Sequence, residues 1–517
     1  MSKESPLIDY SFKISADHFI INPSLIDTPA ICIYRCEGLF IYRMLLESKI
    51  ERLIRWFMHH PLLLGLLSLA WLIMRSGTRP HRLTYPCQRA ALAYSAILIA
   101  PVLQIFNYFL KELRLVAGRR SVVIILITVL ATASFLMFYW NTVNKPIQQK
   151  PLLKLVPQTA TIHPASEIFV VNGSIAKLVS LMGSKGLFFY DSQLVGVNSG
   201  PGGLIKRDDV IIIKVNCQWD QRGGTNTDLL KELIDLILKH PEGFTGEIVV
   251  ADNGQGRGSL NWRRSNAVNE SQSAEAVVAL YSDKHKVSTY LWDTIASKQV
   301  KEYIDGDLQD GYVVSPVSDP ETGVKVSYPK FRTKTGTYIS FKLGIWDPES
   351  GTYDSSRLKV INFPVLKTHS IYGVTGAVKH YMGVVSQPLT DTHSLIGRGA
   401  LGKVMAETRI PVLNILDAVW VNAIPRNGPS TSYEEATKTD LVMASIDPVA
   451  LDYWASKQVL LQLARLMNYR YSESVDPDND TSDFGNYLKK TLEQLETAGY
   501  GFTMDANRIT VYIADYG

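Results

Sequence analysis

The sequence predicts an α/β protein: a mainly parallel sheet domain with a smaller inserted subdomain, preceded by an N-terminal helical membrane region. Three observations carry this. From residue 165 onward short apolar runs alternate with amphipathic helical stretches, the strand, loop, helix rhythm of a parallel sheet. Several of those runs end in polar or glycine residues, where open α/β sheets place ligands. Ser121 to Trp140 is an unbroken stretch of 20 residues without a charge, long enough to cross a hydrocarbon core of about 30 Å at about 1.5 Å per residue.

At 517 residues the chain exceeds one ordinary domain. Residues 1–55 read as a polar segment, 56–140 as the membrane region, 141–164 as a linker and 165–517 as the α/β domain, with an insertion around 281–354. Within the membrane region, 121–140 is the spanning helix, and Phe138, Tyr139 and Trp140 sit at its exit end, where amphipathic rings favour the interface. Residues 90–110 are also apolar but contain Pro101, Gln104 and Asn107, and 61–74 offers 14 apolar residues, suited to an interfacial helix. The first 30 residues lack the basic start, apolar run and small-residue site of a cleaved signal, so the anchor is expected to remain. Basic clusters precede Ala90 (Arg75, Arg79, Arg82, Arg89) and Ser121 (Lys111, Arg114, Arg119, Arg120), and both favour the cytoplasmic side. The expectation is a membrane protein whose large domain is extracytoplasmic, although Lys145, Lys150 and Lys154 oppose that orientation.

A net charge of +4, with no Lys/Arg-rich block interleaved with aromatics in the large domain, argues against nucleic acid as a partner and leaves the lipid bilayer and an anionic small molecule or headgroup. The four cysteines, Cys32, Cys36, Cys87 and Cys217, imply no disulfide framework.

Along the large domain, Ile168–Val171 reads as a strand followed by a helix from Ile175 to Leu181. Asp209–Val215 reads as a buried strand followed by a helix over Thr227–Lys239, and Glu247–Asp252 as the next strand, ending in Asp252-Asn253-Gly254. Leu358–Val365 is a further strand, and a helix or turn is expected near Thr375. Val412–Leu416 begins another strand, and Asp447 is placed to cap a helix with Pro448 at its first position. The acidic 473–483 run reads as a solvated loop, and Ile509–Ala514 as the last strand.

The segments LKTHSIYGVTGAVKHYMGVV (366–385), DTHS (391–394), NILDA (414–418) and SIDPVALD (445–452), with VIIIKVN (210–216) as an early strand, resemble the domain-of-unknown-function family 362 over most of residues 165–465. The resemblance implies no settled activity. Many members of that family look like iron–sulfur proteins with a ferredoxin-like cysteine-rich segment. This chain has no cysteine after Cys217, so no Cys-ligated cluster is expected in the large domain.

Lys367, His369, Lys379 and His380 lie within 14 residues, a cluster suited to an anion held by two ammonium groups beside an imidazole that exchanges a proton. Lys367, His369 and Lys379 are the expected catalytic set. Thr375, Gly376 and His380, with Lys214 and Asn216, Asp252 and Asn253, and Asp417 at strand ends, are the expected ligand-binding set. His393, Asp447 and Asp452 are available to join His369 around a metal, but no spacing matches a known ligand set, and Cys217 is a nucleophile without an identified base. The leading expectation is an enzyme acting on an anionic small molecule or headgroup. The alternatives are a non-catalytic anion-binding or signalling module, or a redox enzyme with a bound flavin or metal.

Overall fold

Strands rich in Val and Ile form the middle of the domain because their side chains are buried on both faces. Val210–Lys214 is buried at every position, as is Glu247–Asp252, the pattern of a parallel sheet covered on both sides. The computed structural model describes residues 153–514, all within one compact unit spanning Ile147–Gly517. The expectations for the polar N-terminal segment, the three apolar stretches and Cys32, Cys36 and Cys87 lie outside the described residues. Among the described residues no helix is long and apolar enough to cross a membrane.

The described chain forms a ten-stranded sheet. Its strands are β1 (Ser166–Asn172), β2 (Val210–Lys214), β3 (Glu247–Asp252), β4 (Val287–Leu291), β5 (Leu358–Asn362), β6 (Val365–His369), β7 (Gly373–Thr375), β8 (Leu413–Asn422), β9 (Thr437–Ser445) and β10 (Ile509–Ile513). The order is β10-β1-β9-β8-β5-β2-β3-β4, with β6 pairing β8 and β7. The pairs from β8 to β4 are parallel, and β9 is antiparallel to both its neighbours. The α/β class and the mostly parallel sheet expected from the sequence are therefore present.

Alternation along the strands divides the apolar residues between two cores. Ile211, Ile213 and Val250 face one, with Leu178 of α1 (Ile175–Ser184), Leu233 of α2 (Thr227–Leu238) and Val277 of α3 (Ala274–Ala279). Ile212, Val249 and Val360 face the other, with Leu401 of α4 (Ala400–Glu407), Leu451 of α5 (Pro448–Ala455), Leu463 of α6 (Leu461–Leu466) and Leu488 of α7 (Asp483–Thr497). Helix starts follow the capping rule: Ser174 and Asn226 accept backbone N–H bonds at the starts of α1 and α2. Asp447 does so for α5, with Pro448 in the first turn as expected.

Several boundaries differ from expectation. Val287–Leu291 pairs in parallel with β3, so the insertion begins after it. Its body is a five-stranded antiparallel sheet running from Gly311 to Asp354, packed on the second core through Tyr312, Phe331 and Phe341. The run Leu358–Val365 is two strands, because Pro364 has no N–H to give a ladder. No helix begins near Thr375: β6 and β7 form a hairpin pairing Lys367 with Thr375 and His369 with Gly373, and a 3₁₀ helix follows at Lys379–Gly383. The acidic run gives way at Asp483 to the 15-residue α7, capped by Ser482. Residues 153–164, read as the end of a linker, lie against the domain, with Leu153 buried and Gln158 bridging Val511.

Candidate functional site

The residues at the C-terminal ends of β2 and β3, the β6–β7 hairpin and the Lys379–Gly383 turn surround a small cleft, lined by Asn216, Asp252, Asn253, Lys367, His369, Thr375, Lys379 and His380 among others. Eight of the eleven expected site residues therefore converge. Register explains the convergence: Lys214 sits beside Asn362 of β5 and Ala251 of β3, so the residues that follow each strand emerge side by side.

Lys214 lies beneath the cleft. Its Nζ is 2.8 Å from Asp252 Oδ1, and both side chains are buried. Burial disfavours each charge, and each supplies the other's counter-charge. Asp252 Oδ2 also accepts the Cys217 N–H at 2.8 Å. The Lys379–Gly383 turn passes directly over this pair. A Cβ on Gly383 would come 2.2 Å from Asp252 Oδ1 and 2.7 Å from Lys214 Nζ, so only glycine fits there.

Lys367 and Lys379 differ from Lys214. Lys367 donates from Nζ to the Gly223 carbonyl, and Lys379 Nζ lies 5.2 Å from the centre of the Tyr372 ring. Both are buried, and among the described residues neither forms an ion pair. Burial pushes each ammonium down to about 7; for Lys367, Lys379 pushes the same way, and Asp252 and Asp417 push against it.

His369 uses Nδ1 to accept the N–H groups of Ile371 and Tyr372, each at 3.1 Å. An acceptor at Nδ1 places the proton on Nε2. Burial, then Lys379, His393 and Lys367, hold the ring far below the usual histidine range. His369 is thus a neutral N–H donor in the cleft wall. Thr375 Oγ1 and Asn216 Oδ1, also in the wall, are buried without a hydrogen-bond partner.

Three expected site residues serve the frame. Lys214 is the buried pair just described. Gly376 makes room for Asp452, whose carboxylate accepts the amides of Ala377 and Val378 at 2.6 and 2.9 Å; a Cβ on Gly376 would meet Asp452 Oδ1 at 2.2 Å. Asp417 is inside β8 rather than at its end, and it accepts the amides of Asn226 and Val419 and the side chain of Asn266. The considered metal set does not assemble: Asp447 caps α5, Asp452 holds the 376–378 turn, and no group of three His, Cys, Asp or Glu side chains is placed for a metal among the described residues. His393 does approach His369, with ring centres 6.4 Å apart. Cys217 is buried, and burial followed by Asp252 and Asp293 raises its thiol well above its usual value, which suits a core thiol and not a nucleophile.

Gln218, Trp219, Gln255, Met382 and Pro429 complete the wall. Gln218 and Trp219 follow β2, so the strand-end rule that singled out Asn216 extends to them. Gln255, at φ +56°, is held by an Asn253 Oδ1 bond to its amide and by Asp293, which clamps Gly254 and Gly256. Pro429 arrives from a distant loop and has no local signal.

With this geometry in hand, comparison with known proteins gives one result. Residues 358–457 match the family described as Domain of unknown function (DUF362). The DUF362 segment contains Lys367, His369, Thr375, Lys379, His380 and Asp417, while Lys214, Asn216, Asp252 and Asn253 precede it. No curated protein and no solved structure matches the chain.

Proposed function

We propose that the domain is the catalytic part of a membrane-anchored enzyme that seats an anionic small molecule or lipid headgroup between Lys367 and Lys379. One observation carries the reading: two buried ammonium groups line one cleft without a carboxylate paired to either. A buried charge without a partner is strongly unfavourable, and a ligand anion removes that penalty. The Nε2–H of His369 and the hydroxyl of Thr375 are further donors for its oxygens. Ammonium groups pushed to about 7 give or accept a proton at neutral pH, which general acid–base chemistry needs and a binding module does not. The anchor rests on the 121–140 stretch, and the basic clusters ahead of it favour an extracytoplasmic domain.

Calorimetric titration of the full-length chain with sulfate tests the site. Lys367→Ala is expected to weaken binding by about 1.5–3 kcal/mol, the loss of a charge-assisted hydrogen bond, and His369→Ala by about 0.5–1.5 kcal/mol, the loss of a neutral donor. Sulfate binding unchanged in both variants would remove the anion from this cleft.

A further inference from the structure

His380 sits at the base of the cleft, and a chain of side-chain amides fixes what its ring must do. Asn414 donates from Nδ2 to the Ser445 carbonyl at 3.2 Å, which turns its Oδ1 toward Asn362. Asn362 donates from Nδ2 to that oxygen at 2.9 Å and to the Ala377 carbonyl at 3.0 Å. Its own Oδ1 is thereby turned to His380 Nδ1, 2.7 Å away, while His380 Nε2 lies 2.9 Å from the Val215 carbonyl. Both partners of the ring are acceptors. Only the imidazolium donates from both nitrogens. A neutral ring would aim a lone pair at one of these oxygens. Turning both amides over to avoid that would bring the Asn362 oxygen to 3.0 Å from the Ala377 carbonyl and the Asn414 oxygen to 3.2 Å from the Ser445 carbonyl. Burial, and then Lys214 and Lys367, disfavour the charge on the ring. The two acceptors favour it, and a bound anion adds to them.

The charges around the cleft can then be counted. Lys214 and Asp252 neutralise each other. Asp417 accepts three N–H bonds and has no proton-accepting partner, so it is a carboxylate. Arg222 faces Asp417 and offsets it, and the remaining negative charge is the Asp293 carboxylate, which accepts the Gly254 and Gly256 amides beside the cleft and acts on Asp252. Against it stand Lys367, Lys379 and His380, which leaves two positive charges for a ligand to match.

We propose that the cleft selects a dianion of phosphoryl or sulfuryl type over a monocarboxylate, with His380 as a fixed imidazolium beneath the bound group. This rests on the anion-binding reading above and narrows it to a ligand class. Because both ring nitrogens are engaged by the protein, His380 acts through its charge and positions the anion without touching it through an N–H.

The test uses the full-length chain and three probes: sulfate, methyl phosphate and acetate. Sulfate and methyl phosphate are expected to bind at least about 100-fold more tightly than acetate, since a second matched charge in a partly desolvated site is worth at least that factor. Asn362→Asp keeps an acceptor on His380 Nδ1 and cancels its charge, and is expected to lower the sulfate-to-acetate ratio at least tenfold. Acetate binding within tenfold of sulfate in the wild type, or a ratio unaltered in a folded Asn362→Asp, would overturn the dianion inference while leaving an anion site. No saturable binding of any probe would overturn both. Should Asn362→Asp fail to fold, nitrogen NMR of the histidine-labelled wild-type chain decides, with His380 assigned from His380→Gln. Two protonated ring nitrogens support the inference, and one bare nitrogen overturns it. Dihexanoyl phosphatidic acid that competes more strongly than methyl phosphate assigns the dianion to a lipid headgroup, and equal competition assigns it to a free phosphate ester; both support the inference.

Discussion

Lys379→Met is expected to stabilise the anion-free domain by about 3–4 kcal/mol at pH 6 while abolishing sulfate binding. Lys379 has no ion pair among the described residues, and its burial pushes the ammonium from 10.5 to about 7. Each unit of such a shift corresponds to about 1.4 kcal/mol, so the charged group costs the fold roughly 4–5 kcal/mol before the loss of its contact with Tyr372, about 0.5–1 kcal/mol, is subtracted. The sign follows from proton linkage. The unfolded chain holds this proton up to about pH 10.5 and the folded chain only to about 7. Wild-type stability therefore rises through that window as the proton leaves, and the penalty is complete only below it. Methionine removes the dependence, so the variant's advantage should be largest at pH 6 and vanish by about pH 10.5. Urea unfolding of both proteins at the two pH values, without anion, measures it. A variant less stable than the wild type at pH 6 would mean that Lys379 holds the fold together and is not held for a ligand.

The same substitution at Lys214, beneath the Lys379–Gly383 turn, is expected to do the opposite. Lys214→Met should cost about 3–5 kcal/mol, because it leaves the buried Asp252 carboxylate without its counter-charge at 2.8 Å. Adding Asp252→Asn removes the stranded charge while keeping an acceptor for the Cys217 N–H, and should restore more than half of the loss. Unfolding midpoints of the single and double variants form the cycle, and additive losses would show that the two groups are not paired.

Lys214 and Lys367 mark where the sequence stops being legible. The β-branched runs of 210–214 and 247–252, the Asp447-Pro448 cap and the clustering of Lys367, His369 and Lys379 are local patterns, and the fold realises each of them where it was read. What a buried lysine on a strand does depends on what the rest of the fold brings beside it. Lys214 finds Asp252 across β3, whereas Lys367 finds only a carbonyl from the 223 loop. Asp417 looked like a strand-end residue because β8 extends to Asn422, farther than its apolar start indicates. The tautomer of His369 was not legible, because it is set by the turn that follows, here the amides of Ile371 and Tyr372. Gln255 and Pro429 reach the cleft through loop geometry with no periodic signal. The insertion boundary was misplaced because Val287–Leu291 is short and half-polar, and only its pairing with β3 assigns it to the main sheet.

The central claim, an anion held by two lysines that are only partly charged when the cleft is empty, is tested most directly by counting protons. Sulfate stays a dianion from pH 5 to 9, so any proton taken up when it binds enters the protein. Calorimetric titration of the full-length chain in buffers of different ionisation enthalpy should show uptake of about one to two protons per sulfate at pH 8. The lysines are then mostly neutral before binding and charged after it. Uptake should fall close to zero at pH 5.5, where both are already charged, and affinity should fall as pH rises through 7. Sulfate that binds at pH 8 with no proton uptake and with an affinity independent of pH would contradict the account.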